Sequence, residues 1–315
     1  MSSLLRQAIF CFVWLPLLLF LETSGFLLAQ DGTDSSGIRD EDGTVEAAKL
    51  FQYFGCLAKN LDVRLASGEP LRLDEKPLQK WTIGSEWHGS HYIWTCKNRP
   101  VLIGCFLVDS MRADRRQLYL ELHSLVDERF SPMEFPALKN FQWDPLPKKT
   151  STLLIEGLAQ ANQNERLRRI QMRQIAETFS VTMYEDPKYG SDRTEQLRML
   201  ATPVYRYPDG GDGGLQGAIY AFVKTNGTDP DFLLAIENDP KLKENGWRVR
   251  PIRYTSRRLE LHRLKSVVWE VPEFDMGSSP VKLTDPYMII TLLETETSVF
   301  NAVREQMIQS GTKKD

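Results

Sequence analysis

Hydrophobic positions along the chain fall into alternating textures. Val45, Ala48, Leu50, Phe51, Phe54, Leu57 and Ala58 recur mostly three or four apart, which predicts a helix over 44–60 with Thr44 as its N-cap. From residue 71 the pattern changes to short alternating runs broken by turn residues, which predicts strands. Residues 151–180 carry Gly157 as their one glycine and no proline. They predict a helix capped by Ser151 or Thr152, with Glu156 in its first turns and Met172, Ile175, Ala176 and Phe179 forming an apolar face in its last. Strand texture resumes at 196. Beyond Pro280, the segment YMIITLL (287–293) predicts a buried strand and 296–309 a closing helix.

The two strand-rich blocks can be laid over each other. Leu71-Arg72 matches Leu197-Arg198, and Pro77-Leu78-Gln79-Lys80-Trp81 matches Pro203-Val204-Tyr205-Arg206-Tyr207. Gly89–Trp94 then matches Gly217–Phe222, Pro100 matches Pro230, and LELH at 120–123 matches LELH at 259–262. The spacing between the matches grows at the turns, where insertions are tolerated. The expectation is an α+β fold of two related antiparallel β-meander units, an internal duplication, packed with a central helix and flanked by N- and C-terminal helices. The units run over 61–148 and 183–275, with a connecting helix over 149–182 and a C-terminal strand and helix over 276–315.

Residues 1–29 read as a secretory signal peptide: Arg6 precedes a short apolar run ending at Leu21, before Glu22. Cleavage after Gly25 or after Ala29 fits the pattern, and a retained anchor leaves the same outward-facing body. The run is too short for a comfortable membrane span, so none is expected after cleavage. Residues 30–43, acidic and rich in Gly and Ser, read as a disordered leader. The expected location is the periplasm, the cell envelope or the extracellular space.

Composition narrows the partners. The 315 residues are 42% hydrophobic and 26% charged with a formal net charge of −3, which argues against nucleic acid because phosphate binding needs a concentrated basic face. Past the signal, Cys56, Cys96 and Cys105 remain, an odd number and no disulfide framework. A hairpin turning at Asn98-Arg99 would set Cys96 opposite Val101 and Cys105 opposite Tyr92. The two sulfurs would then share a face but lie roughly 13 Å apart along the strand, beyond the roughly 7 Å between Cα atoms that a disulfide allows. His88 and His91 fall on opposite faces of a strand, so they do not read as a zinc pair with Cys96 and Cys105. The Asp209–Gly214 run lacks the remainder of a calcium loop and reads as a turn.

Two sets of residues carry candidate chemistry. In each LELH the leucines point one way and the Glu and His the other. Glu121 with His123, and Glu260 with His262, lie roughly 6.5–7 Å apart along the strand, close enough to grip one ligand or metal. The same alternation also describes the wet face of a half-buried sheet. Arg166, Arg169 and Arg173 share one helical face, a candidate anion or partner surface or else a solvated one. No nucleophile elbow, zinc-protease, phosphate-loop or dinucleotide motif is present, and no cofactor is expected.

HGSHYIWTCKNRP, LELHSL, ERLRRIQMRQIAETFS and TPVYRYPDGGDGGLQGAIYAFVKTNGTDPDFLLAIE together resemble a group of exported proteins of planctomycete bacteria that has no assigned activity. The resemblance runs from about residue 78 to 270 and is most specific over 203–237. It implies a bacterial exported protein and supplies no site residues. The resulting expectation is a non-catalytic binding or cell-envelope structural protein, its partner an envelope component or a small ligand. The alternative is a secreted hydrolase or metal-dependent enzyme using the repeated Glu/His pairs.

Overall fold

A computed structural model describes residues 39–312 except 111–112, 132, 135–141, 147–151, 155–156, 186–192, 209–213, 242–245 and 275–283. The signal segment, leader residues 30–38 and most of the Gly-Asp run lie outside the described residues. Helix α1 (Arg39–Asn60) leads into β1 (Arg72–Leu73), β2 (Gln79–Ile83), β3 (Trp87–Cys96), β4 (Arg99–Asp109) and β5 (Arg115–Ser124). Short strands β6 (Met133–Glu134), β7 (Gln142–Trp143) and β8 (Leu153–Leu154) precede α2 (Glu165–Glu177). Then follow β9 (Phe179–Tyr184), β10 (Thr194–Met199), β11 (Tyr205–Arg206), β12 (Gln216–Val223), β13 (Pro230–Asn238), β14 (Trp247–Arg253), β15 (Leu259–Arg263) and β16 (Ser266–Val271). Strand β17 (Tyr287–Glu296) and helix α3 (Thr297–Thr312) close the chain. The class is α+β, with every named strand pair antiparallel.

Among the described residues the first sheet runs β1-β3-β4-β5-β17, with β2 also on β3. The second runs β16-β15-β9-β10-β12-β13-β14-β8, with β11 also on β12. Period-two alternation sorts their side chains into three cores. Tyr92, Trp94, Phe106, Leu120 and Leu122 pack with Leu50, Phe54 and Phe300 under α1 and α3. Tyr220, Phe222, Phe232, Val249, Leu259 and Leu261 pack with Met172, Ile175 and Ala176 of α2. The inner faces meet in a third core that mixes Trp81, Ile93, Ile103 and Cys105 with Tyr205, Ile219, Leu233, Ala235 and Tyr254. The chain is therefore four layers: α1 and α3, sheet one, sheet two, α2. Helix α2 is central in the sequence but lies on the outside of the second sheet.

Pairing repeats between the sheets. Arg72 faces Thr95 and Leu73 faces Trp94; Arg198 faces Val223 and Met199 faces Phe222. Gln79 faces His91 as Tyr205 faces Ile219. Ile93 faces Ile103 as Ala221 faces Leu233, and both hairpins carry a bulge at the same place, between Trp94 and Thr95 and between Phe222 and Val223. In β5 and β14, Glu121 faces Cys105 as Arg250 faces Ala235. Even the packing of an aromatic ring on a glycine recurs, Trp81 on Gly89 and Tyr207 on Gly217.

The LELH match does not follow this correspondence. Leu120–His123 sits in β5 between β4 and β17, whereas Leu259–His262 sits in β15 between β9 and β16. The strand equivalent to β5 is β14, and its sequence at that place is Val249-Arg250-Pro251-Ile252. Alternation fixes the faces of a four-residue phrase but not its neighbours.

Three other expectations are corrected. Helix α1 begins at Arg39, so Thr44 is inside it and residues 39–43 belong to a helix. The connecting helix is confined to Glu165–Glu177, while Leu153–Leu154 pairs with β14 and Phe179 opens β9. Asn164 is its N-cap, its side chain accepting from the Arg166 and Leu167 amides. Replacing Asn164 by alanine is expected to cost about 1 kcal/mol in urea unfolding; no loss would mean that tertiary contacts alone set this end. Third, the β3–β4 turn is Lys97-Asn98, both left-handed at φ 50 and 64, as a two-residue hairpin turn requires. With the bulge, Cys105 faces His91 and Cys96 faces Arg99. Cys96 packs on the helix side and Cys105 between the sheets, so the two sulfurs do not share a face. Among the described residues Cys56, Cys96 and Cys105 form no disulfide.

Candidate functional site

Directly opposed residues in an antiparallel sheet point to the same face. One row across sheet one therefore sends Gln79, His91, Cys105 and Glu121 into the seam between the sheets. The next row of that face adds Ile93, Ile103, His123 and Tyr287. The equivalent row of sheet two is Tyr205, Ile219, Ala235 and Arg250. The fold thus manages with Ile and Ala where sheet one carries His and Cys.

Glu121 and His123 are buried, not on a wet face. The Tyr287 hydroxyl donates to Glu121 Oε1 at 2.6 Å, and His123 Nδ1 lies 2.9 Å from the Ser124 carbonyl. Burial pushes Glu121 up to about 8, the Tyr287 hydrogen bond opposing this and the Asp231 charge adding to it. Burial pulls His91 and His123 down to about 3, so both rings are neutral. Neither ring nitrogen of His91 has a hydrogen-bond partner, nor does the Tyr254 hydroxyl, whose ring stands edge-on to it at 5.0 Å between centroids. Trp81 Nε1 and Gln79 Oε1 are unpartnered in the same seam. Each such atom costs roughly 1–3 kcal/mol of desolvation.

Sheet two brings acids and arginines that sequence reasoning did not single out. Asp231 is the extra residue of the β13 bulge and is pushed up to about 7 by burial, with Lys224 opposing and Glu195 adding. Asp229 keeps part of its surface in water, yet desolvation of its carboxyl and the charges of Asp231 and Glu121 push it well above the usual range. Arg250, 1% exposed, has no hydrogen bond on Nε, Nη1 or Nη2 and lies 3.8 Å from both Glu237 and Asp127 carboxylates. The only trace of this arrangement in the sequence is the shared Pro100/Pro230 position, which marks both bulges.

Glu260 and His262 lie elsewhere, on the face of β15 turned away from α2. Their row runs Gln196, Thr182, Glu260, Glu270 across β10, β9, β15 and β16. Gln196 Nε2 donates to Thr182 Oγ1 at 2.5 Å, and Thr182 Oγ1 lies 3.2 Å from His262 Nε2. That same Nε2 is 3.4 Å from Glu260 Oε2, while Arg258 donates to Glu260 Oε1 at 2.5 Å and stacks over Tyr184 at 4.5 Å. Arg258 also reaches Glu270 at 3.6 Å, which relieves two acids set directly opposite. Thr182 and Glu260, in the middle of this row, are buried at 7% and 8% exposed, His262 is half-buried, and Gln196, Arg258 and Glu270 are exposed, so water reaches the row at its ends. The two Glu/His pairs are thus in different sheets and different surroundings.

Arg166, Arg169 and Arg173 are exposed on α2. Arg169 pairs with Glu165 and Arg173 with Glu177 at 2.8 Å along the same helix. Arg168 instead donates to the Asn162 and Gln163 carbonyls. Arg168 and Arg169 border a hollow of about 30 Å³, the size of one water. A larger cavity of about 210 Å³ lies at Leu158, Ile175 and Trp247, with none of the candidate residues in its lining. Among the described residues, no three His, Cys, Asp or Glu side chains are placed to hold a metal ion, and no helix is long and apolar enough to cross a membrane. Comparison with known proteins found no matching family model, no matching curated protein and no matching solved structure.

Proposed function

We propose that the chain is an exported, non-catalytic binding or cell-envelope structural protein whose ligand surface is the polar face of β10, β9, β15 and β16. The observation that carries this reading is the hydrogen-bonded polar row Gln196–Thr182–Glu260–Glu270, exposed at Gln196 and Glu270, with His262 and Arg258 tied into it. Its side chains are held by one another, so they present donors and acceptors with little rotamer entropy left to lose. Residues 1–29 supply the export signal in this reading, and the resemblance to planctomycete exported proteins agrees with it. The matched registers of the two sheets support an origin by internal duplication. Both meanders would then be scaffold, and the strands outside the correspondence, β9, β15 and β16, would be the added binding part. The Arg166, Arg169 and Arg173 face is less favoured, since two of the three cations are spent on their own helix.

The test is co-sedimentation of the exported protein with purified insoluble bacterial cell-wall polysaccharide. Wild type is expected to pellet, and the double variant Glu260→Gln/His262→Gln to bind at least about tenfold more weakly, roughly the loss of one charged hydrogen bond, with unchanged melting temperature. Equal binding by both proteins would remove this face from consideration.

One observation favours a hydrolase: the Thr182 hydroxyl lies 3.2 Å from His262 Nε2. A relay needs the carboxylate on the other ring nitrogen, but Glu260 approaches the same Nε2. Turnover of ester or glycoside substrates that disappears in Thr182→Val would establish that reading over the binding one.

A further inference from the structure

We propose that the seam between the two sheets is a proton-operated latch: Glu121 from the first sheet and Asp229 and Asp231 from the second let the sheets close when protonated and part them when ionised.

The geometry sets up the conflict. Glu121 is walled in between the sheets, and its one hydrogen bond comes from the Tyr287 hydroxyl, a neutral donor. No ion pair joins Glu121, Asp229 or Asp231 to a cation among the described residues. The turn that carries Asp229 is tied to sheet one, because Gln79 Nε2 donates to the Thr228 carbonyl at 2.5 Å. Closing the sheets therefore brings the acids of one within electrostatic reach of the acid of the other. Removing an ionised carboxylate from water without a partner is costly, and a second one nearby adds repulsion. The fold itself does not ask for a carboxylate at Glu121: the equivalent position in the second sheet is Arg250.

Every other group facing the seam leaves this conflict in place. His91 from β3 and His123 from β5 stay neutral until about 3, so they give no counter-charge near neutrality. Cys105 from β4 is pushed well up by burial and stays a thiol, and Tyr254 and Tyr287 stay phenols for the same reason. Arg250 and Arg253 act on His123, while Lys224, just beyond β12, softens the charge of Asp229 and Asp231, and Glu195 from β10 adds to that of Asp231.

The direction follows from linkage. A carboxyl whose folded value lies above its unfolded one binds a proton on closing. Its stabilisation is complete below about 3.8 for Asp231 and about 4.5 for Glu121, and is lost as pH rises through about 7 and about 8 respectively. The latch opens on the alkaline side.

The experiment is amide hydrogen exchange from pH 5 to pH 9 on the full exported protein, corrected for the intrinsic pH dependence of exchange. Amides of β5 and β13 are expected to open about tenfold more per pH unit for each proton released, while those of β16 stay constant. In Glu121→Gln, which keeps an acceptor for Tyr287, the rise should shrink at least tenfold between pH 5 and pH 8. Asp231→Asn supplies the same reading should Glu121→Gln fail to fold. A pH dependence equal in wild type and variant, or one uniform across the whole chain, overturns the latch.

Discussion

Gly89→Ala is expected to cost about 3 kcal/mol, at the upper end of what overpacking a core exacts. A Cβ on Gly89 would lie 2.1 Å from Trp81 Cζ2 and 2.3 Å from Cε2, far inside contact distance. Trp81 has nowhere to retreat. It is 4% exposed and packs in the core that joins the two sheets. Gly217 faces Tyr207 in the same way but less tightly, with Cε2 at 2.7 Å. The phenol can swing about its hydrogen bond to Glu237, so Gly217→Ala should cost about half as much. Urea midpoints of the two variants at constant slope check both values. If Gly217→Ala proves the more damaging, the ring-on-glycine contact is not what holds β2 and β11 in place.

That pair of contacts also shows what the sequence made legible. Gly89 and Gly217, and the segments 77–81 and 203–207, align by eye, and the structure pairs them in the same registers. Strand β17 and helix α3 follow the apolar run and the helical spacing after Pro280. The errors arise where one pattern serves two geometries. Phe179 lies three residues beyond Ala176, which suits a helix, but it also alternates with Val181 and Met183 in β9, and the strand wins because it pairs with β15 and β10. The stretch before Asn164 lacks breakers apart from Gly157, but freedom from breakers is no positive reason to be helical. Trp247 Nε1 instead donates to the Ala159 carbonyl and fixes an irregular segment on the second sheet.

The candidate site was less legible than the fold. Period-two alternation correctly sets Glu121 and His123 against Leu120 and Leu122, but says nothing of what covers the second face. A second sheet covers it, and a polar pair that looks solvated becomes a buried one. Glu260 is as buried as Glu121, at 8% exposed; what sets the second pair apart is the half-buried His262 and the exposed Arg258 that pairs with Glu260. Asp229, Asp231 and Arg250 have no local signature at all. Their meaning depends on which strands lie opposite, and one extra residue at each bulge decides that.

Glu237→Gln is expected to be the most damaging of the charge substitutions, at about 3–5 kcal/mol, the cost of stranding a buried charge. Glu237 is 3% exposed and gathers three partners: the Tyr207 hydroxyl at 2.7 Å, Arg248 Nε at 2.5 Å and Arg250 Nη2 at 3.8 Å. Burial alone would push its carboxyl up; the Arg250 and Arg248 charges and the hydrogen bonds from Tyr207 and Arg248 outweigh this and hold it below the usual range. The amide removes the one buried counter-charge that Arg248 and Arg250 share, and leaves Arg250 with only Asp127 at 3.8 Å, itself in solvent. Arg250→Met is expected to behave differently, changing stability by no more than about 1 kcal/mol in either direction. It removes a desolvated cation that makes no hydrogen bonds, fills its space with an apolar chain, and leaves Glu237 held by Arg248 and Tyr207. The linkage sign gives a second check. A carboxyl held below its unfolded value stabilises above about 4.5 and loses that contribution as pH falls through its folded value. The penalty of Glu237→Gln should therefore shrink in acid, on the low side of the usual carboxylate range, while that of Gly89→Ala, which involves no titrating group, should stay. Equal losses for Glu237→Gln and Arg250→Met at neutral pH would mean that the guanidinium, and not the carboxylate, is the group around which this end of the seam is built.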